Sequence, residues 1–582
     1  MATTYCTAEM KFADVSALTD STLTASSGQS FNNLEYFKKN EASDVADYGL
    51  LGHNQIILDG SQSELADKPT DVAFVSSAKS GSDCAFATNP AITIAFTNNH
   101  SSAGLTFYFG HVYPRKMRIT WFNLKGNKLV ANTFEPDALI YFASQQVSNY
   151  AKVVIEFLET CWPEQYIELQ YIMYGKYIYW TGDVIQKASI TEEIDTTGSE
   201  VSINNGSISI LDVDDDFNIG NNAGSWRFIQ KTQEIALKEY VDDTAVELGS
   251  FYIDDFSFKE NVAKFSLIDG IGILDKCVFY DGDIYINVKA GDIIQSIFNT
   301  AGVIEYTLED GLGDITLTGY IGVVTCREAL QMVAFVIGAI VDDSRSNIIK
   351  IYKPSRKIKN SVGVDRKFNG KTQVTQEDYF SGVSVECSKY ALSSNASDIY
   401  DDVLEAGDNQ ITFSGPFLAS SITASAGTIK ERHTNYCIVN MTAEGECKLT
   451  GQAYEESKFI VSKNQTQIEA GQIANTKTYT GITLYNTNAM QEKLKDLLKY
   501  WELQKTLDMQ YLINTEQSGE WVSVKDNNGF SNSTLIESQT IDLTGGFIAT
   551  ASCRGYTLIN TNSLYAGNGE LYADSDKGGA IS

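Results

Sequence analysis

The chain is poor in the residues that usually announce chemistry. Its four histidines, His53, His100, His111 and His433, include no HxH, HExxH or i,i+4 pair, so no histidine metal site is offered. Nine cysteines stand singly, at Cys6, Cys84, Cys161, Cys277, Cys326, Cys387, Cys437, Cys447 and Cys553. An odd count without any CxxC implies neither a zinc site nor a disulfide framework. They read as small buried hydrophobes of a protein assembled in a reducing cytoplasm. There is no GxSxG, and no glycine-rich stretch leads into Lys-Ser/Thr, which excludes a nucleophile elbow and a phosphate loop. Gly270-Ile271-Gly272 and Gly545-Gly546 read instead as turns or bulges. No catalytic residue, metal or cofactor is expected.

Long apolar runs are missing too. The longest, Met332 to Val341, is far short of the roughly twenty residues a membrane-spanning helix needs, so no membrane span is expected. The start, MATTYCTAEMKFAD, lacks the basic and apolar regions of an export signal. Basic residues are outnumbered, giving a formal charge of −30. Binding to nucleic acid through its phosphates requires Lys and Arg to displace condensed counterions, so no sequence-specific or general nucleic-acid binding is expected. Acidity also favours solubility.

What is present is a β-forming composition: 31 Tyr and 28 Phe with many Thr, Ile and Val, punctuated by Gly, Asn, Asp and Ser turns. The length predicts about four domains. From 1 to 176, strands are predicted at Pro90–Phe96, Gly104–Phe109, Met117–Phe122, Val153–Phe157 and Tyr166–Tyr174, with Gly126-Asn127 as a hairpin turn. Many short strands separated by turn residues indicate a sandwich or jelly roll. Asp212-x-Asp214-x-Asp216 resembles the opening of a calcium loop. Phe217 and Ala223, however, occupy the places where an EF-hand needs its glycine and its last glutamate, so the run reads as a solvated turn or a subunit contact.

The most informative stretch runs from Thr325 to Pro354. Thr325 and Glu328 have the spacing of a capping box, and Leu330, Val333, Ala334 and Ile337 form one helical stripe. Asp342-Asp343-Ser344 breaks the helix, and Ile348 to Tyr352 resumes as a strand that Pro354 ends. A short helix starts near Gly291, with Asp292 in its first turn. Another runs from Asn486 to about Leu503, with Met490, Leu494, Leu497, Leu498 and Trp501 on one face.

The "T-x-R-E-A-L-Q" helix, the turn ending in Arg345 and the strand after it resemble the tail-hub (baseplate hub) proteins of long-tailed bacteriophages. So do Gly249-Ser250-Phe251-Tyr252-Ile253, Lys264 to Asp269 and Gly272-Ile273-Leu274-Asp275. The resemblance spans roughly Ile190 to Gly555. Residues 1–176 resemble a galactose-binding-like (discoidin-type) sandwich, carried by Leu58-Asp59-Gly60-Ser61, Pro90 with its strand, Ser101 to Thr106, Tyr113-Pro114 and Asn149-Tyr150.

These resemblances imply a mainly β fold with minor α+β. A sandwich at 1–176 is followed by a first hub barrel-like domain at 177–290 and a small α/β element at 291–354. A second barrel-like domain at 355–480 and a closing helix with strands at 481–582 complete the chain. They further imply a non-enzymatic virion protein, assembled in the host bacterial cytoplasm and sited at the tail tip. Its partners would be two further copies in a homotrimer, the tail tube and distal tail proteins, and a spike or fibre. Host cell-surface polysaccharide is a further expected partner. Sandwiches of the resembled type bind ligands through loops at one end, which makes the Asn98-Asn99-His100 loop and the His111-Tyr113-Arg115 loop the carbohydrate candidates, His100, Tyr113 and Arg115 foremost. The alternatives are a carbohydrate-binding adhesin without a hub role and a cell-wall hydrolase.

Overall fold

The computed structural model describes residues 4–13, 17, 20–26, 74–76, 78–110, 112–213, 215–221, 224–229, 231–302, 305–465, 473–525, 531–558, 566–567 and 570–571. The Leu58–Ser61 stretch, His53, His111, Asp214 and Ala223 lie outside these residues. The fold is mainly β with a few helices, as the composition predicts. The chain divides into two compact units: Glu9–Tyr179 with Ile219–Gln233, and Met1–Ala8 with Trp180–Asn218 and Glu234–Ser582.

The first of these units is built on a seven-stranded sheet. Its order is Phe74–Val75, Glu168–Met173, Ala91–Phe109, Ile140–Thr160, Pro114–Phe122 and Lys128–Phe134, with Thr22–Ala25 paired beside Ala91–Phe109. Two strands were expected at 90–96 and 104–109; the structure has one 19-residue strand. The connection survives because register shifts at Ala95/His100, His100/Ser102 and Ser102/Gly104 absorb the misfit against Ile140–Thr160. Gly104 (φ 149°) permits the approach, since a Cβ there would lie 2.2 Å from the Ala143 carbonyl oxygen. Asn98 to His100 are therefore strand residues, not a loop. Ile92, Ile94, Phe107, Trp121, Ile155 and Phe157 fill the core. Gly126 (φ 77°) makes the expected hairpin turn.

The second unit holds most of a 13-stranded sheet. One run of it orders Glu234–Val241, Thr244–Lys259, Val262–Ile268, Asn205–Leu211 and Ile185–Glu193. The other run orders Gln373–Gln376, Lys505–Leu512, Ile548–Leu558 and Ser531–Asp542, and Trp521–Lys525 adds Ile358–Val362 in parallel. Ser531–Asp542 joins the two. Its first half pairs with Trp521–Lys525, and its second half, Ser538 to Asp542, pairs with Ile185–Glu193.

Helices α1 (Gly270–Lys276), α2 (Ala290–Ala301), α3 (Cys326–Ile337) and α4 (Thr487–Trp501) pack into one apolar cluster with the short strands around them. The capping box on α3 is formed: Glu328 N donates to Thr325 Oγ1 (3.1 Å), and Thr325 N donates to Glu328 Oε2 (2.9 Å). Leu330, Val333, Ala334 and Ile337 are buried, and Gly338 ends the helix in the left-handed conformation (φ 75°). A strand that the sequence did not reveal, Ile340–Asp342, then pairs antiparallel with Ile349–Tyr352, which runs parallel to Tyr306–Leu308. The reading of Gly270 and Gly272 as a turn is corrected, since both lie in α1. Asp269 caps α1, and a Cβ on Gly272 would fall 2.7 Å from that of Ile268, so the missing side chain is a packing requirement. Gly545-Gly546 is a turn as expected.

The cysteines are free thiols among the described residues. Six are buried, as read from the sequence, but Cys84, Cys161 and Cys277 are partly exposed.

Candidate functional site

The densest chemistry in the described residues is a buried polar junction centred on the turn Asp342-Asp343-Ser344-Arg345. The turn leaves strand Ile340–Asp342, and Ser344 N donates to Asp342 Oδ1 (2.8 Å). Arg345 takes a left-handed backbone (φ 52°) beside Gly249 (φ 92°), where a Cβ would lie 3.3 Å from the Arg345 Cα.

Two groups of partners meet this turn. Toward α1, Asp343 Oδ2 accepts from Gly270 N (2.8 Å), and its Oδ1 accepts from Asn204 Nδ2 (3.2 Å). Asp269 accepts from Gly272 N (2.8 Å) and from Asn204 N (2.6 Å). Burial, and next the charge of Asp343, raise the Asp269 carboxyl well above the usual range, so it keeps a proton and shares it with its neighbour. Burial pushes Asp343 up to about 6. Asp342 is also raised by burial, and the Tyr352 hydroxyl donates to it at 3.2 Å.

Toward the sheet, Arg345 Nε donates to Glu192 Oε1 (2.7 Å), with both side chains almost wholly buried. Arg345 Nη2 donates to the Glu516 carbonyl (2.7 Å), and Gln539 Nε2 donates to Glu192 Oε2 (2.7 Å). Arg366 grips Glu516 through both terminal nitrogens at 2.8 Å. Although burial pulls the Glu516 carboxyl upward, the Arg366 guanidinium and the Asn514 amide together outweigh it and hold it low.

This arrangement holds charge in place and shields it from solvent. Asp342, Asp343, Glu192 and Glu516 are each under a tenth exposed, as is Ser344, so these acids are enclosed by protein. What they can do chemically is lock the turn after α3 to both α1 and the point where the two strand runs join. The sequence marked the turn as a helix breaker and as part of the hub resemblance, not as a junction. Asn204, Glu192, Glu516, Arg366 and Gln539 were missed, because each lies far along the chain and only the sheet pairing gathers them. The one local sign of it was a six-residue polar run, Asp342 to Asn347, between apolar stretches.

The carbohydrate candidates do not converge. His100 is buried, with Nε2 3.0 Å from Asp20 Oδ2 and its ring against Phe96. Asp20 is held well below the usual carboxylate range by the Thr97 hydroxyl, then His100 and the Asn98 amide. Tyr113 is half-buried against the core, and exposed Arg115 donates from Nε to Glu159 Oε2 (2.8 Å). His100 pairs with Tyr150, and Arg115 bonds to Glu159, nine residues further along that strand or about 30 Å at the usual rise. His111, the remaining candidate of that loop, lies outside the described residues. Beside Tyr113 and Arg115 the structure adds Trp162, 63% exposed, in a loop held by Gln165 and Thr160.

No family model and no curated protein matches the chain. Among solved structures it is similar to a tail protein from Neisseria meningitidis MC58, at 12% identity over 64% of this chain and 92% of that one, with a TM-score of 0.39. It is also similar to a 43 kDa tail protein of prophage MuSo2 from Shewanella oneidensis (13% identity, 65% and 95% covered, TM-score 0.38). A third is prophage tail protein gp18 from Listeria monocytogenes EGD-e (8% identity, 63% and 94% covered, TM-score 0.35).

Proposed function

We propose that this chain is a structural virion protein, the hub at the distal end of a phage tail, where three copies form a ring between the tail tube and a spike or fibre. One observation carries this reading: the Thr325–Pro354 stretch on which the resemblance rests sits in the unit whose large sheet fuses two strand runs through Ser531–Asp542. Three copies of a chain with two ring-building modules offer six-fold-like contacts on one face and three-fold contacts on the other, and closed rings are a common outcome for soluble oligomers. The buried junction suits such a part, since it stiffens the joint through which a receptor signal would pass. The role is mechanical, not catalytic. The domain division at 177, 291, 355 and 481 and the galactose-binding-like character of the first unit belong to the same proposal. The end of the first unit carrying Tyr113, Arg115 and Trp162 supports a weak saccharide contact. Repeated three times in a ring, weak contacts gain effective concentration.

The test is negative-stain imaging together with sedimentation of the purified full chain. Three-fold rings are expected. A persistent monomer that binds cell-wall polysaccharide tightly would overturn the hub reading in favour of the adhesin.

A further inference from the structure

One stretch runs against the charge of the rest of the chain. Residues 350–371 hold eight of the 44 Lys and Arg and a single acid, Asp365, in a chain of net charge −30. Crowding cations on so short a segment is opposed by their repulsion, and neighbouring groups relieve only part of it. Arg366 is held by Glu516, Lys359 donates to Glu520 at 2.9 Å, and Arg356 lies over the Trp521 ring at 5.7 Å. Lys353, Lys357 and Lys371 are exposed and have no ion pair among the described residues. Lys357 leads into strand Ile358–Val362, which among the described residues pairs only with Trp521–Lys525, so the stretch follows a sheet edge. Arg366 Nη1 donates to the Ser361 carbonyl of that strand (3.3 Å), which partly blocks the edge against strand addition and leaves its side chains to make contacts. Aliphatics stand among the cations: Ile358 is 41% exposed and Val364 is 44% exposed. A phosphate backbone would match the charges and leave these aliphatics wet, whereas an acidic protein surface with an apolar tip would cover both.

Such a surface lies in the same unit, on the 211–216 turn. Val213 is 73% exposed there, with exposed Asp215 close by. Asp212 is buried, and its carboxylate accepts from Asp216 N (3.0 Å) and Phe217 N (2.8 Å), so the first acid of the run holds the turn's own backbone. Phe217 anchors the turn against Trp180 and Phe265, each at 5.7 Å between ring centroids. Asp212 N donates to the Asn261 carbonyl (2.8 Å), which brings exposed Glu260 beside the turn. A turn fixed in this way loses little further freedom on docking.

We propose that the 350–371 face of one copy docks on the 211–216 turn of the next, with Val213 seated among Ile358 and Val364. Asp215, Asp216 and Glu260 then face Lys353, Lys357 and Lys371. The occupant is a second copy of this chain, because the two complementary faces differ and every copy carries both. That is the condition for a head-to-tail contact, which closes into a ring when the rotation allows. The contact rests on the proposed ring reading and supplies its two faces.

The test follows association of the purified full chain by sedimentation velocity from about 50 to about 500 mM salt, a range that shortens the reach of charge severalfold. The trimer fraction is expected to fall as salt rises. Lys353→Glu, Lys357→Glu and Lys371→Glu together should weaken association about tenfold or more, and so should Asp215→Lys with Glu260→Lys. Combining both sets in one chain exchanges the charges between the faces and should restore the trimer. Salt-insensitive trimers, trimers that survive either reversal, or a combined variant of unchanged thermal midpoint that stays apart would overturn this contact and leave the ring reading standing. A wild-type monomer at every salt concentration would overturn both. Binding of a fluorescent DNA duplex that the lysine reversals abolish, while trimers persist, would assign the face to phosphate instead. The salt series uses the wild-type chain, so a variant that fails to fold leaves the outcome decided.

Discussion

Glu239 lies in strand Glu234–Val241, fully buried, and neither of its carboxyl oxygens has a hydrogen-bond partner among the described residues. It shares the buried face of its strand with Ile235 and Leu237 and is influenced by nearby Asp542. Burial, then the Asp542 charge, push its carboxyl up to about 8 from an ordinary value of 4.5. The folded chain therefore binds a proton that the unfolded chain releases above about pH 4.5. Stability contributed by this group is greatest below that pH, declines as pH rises toward 8, and levels off above it.

At pH 7 the protonation gap is about 2.5 pH units, which sets a ceiling of about 3.4 kcal/mol. Relaxation of the surroundings brings a realistic figure to about 2 kcal/mol. Glu239→Gln keeps the shape, remains neutral and leaves the same unpaired polar atoms. It should stabilise the fold by under about 1 kcal/mol at pH 5 and by about 2 kcal/mol at pH 7. Glu239→Leu, which also removes the unpaired polar atoms, should gain somewhat more wherever its branched chain fits. The assay is hydrogen exchange of the 234–241 amides at pH 5, 6, 7 and 8, corrected for intrinsic rates, with thermal midpoints alongside. A variant-minus-wild-type difference that stays flat with pH, or a Gln variant less stable at pH 8, would refute the reasoning.

At the buried junction, Asp269→Asn replaces the carboxyl that holds a proton beside Asp343. Both folded carboxyls are raised, Asp343 to about 6 and Asp269 well above its ordinary range, so wild-type stability falls as pH climbs above about 4, and the variant should flatten that slope in urea midpoints measured at pH 5 and 7. Arg345→Met strands Glu192 without its cation in a buried place and should cost about 3–5 kcal/mol, read as a fall in thermal midpoint. Adding Glu192→Gln to that variant should recover much of the loss, since the stranded charge is then gone; no recovery would mean that packing, not charge, dominates.

How much of this was legible depended on the distance over which each signal acts. The Thr325 capping box, the α3 stripe and the α4 face are decided within one or two turns of chain, and they fold as read. The single strand from 91 to 109 was not legible. Whether polar residues such as Asn98, Asn99 and His100 end a strand or bulge through it depends on a partner, Ile140–Thr160, that satisfies their backbone. His100 shows the same limit from the side-chain end: a histidine in a polar run looked like a ligand contact until Asp20, eighty residues away, supplied its partner. Ser531–Asp542 is the extreme case, because nothing local states that its two halves serve different neighbours. Its second half carries Gln539 to Glu192, and Glu192 carries Arg345. The strand that fuses the two runs is thus also the one that anchors the polar junction. Loosening either should loosen the other, so a substitution at Gln539 is expected to be felt at α3 more than along its own exposed strand neighbours.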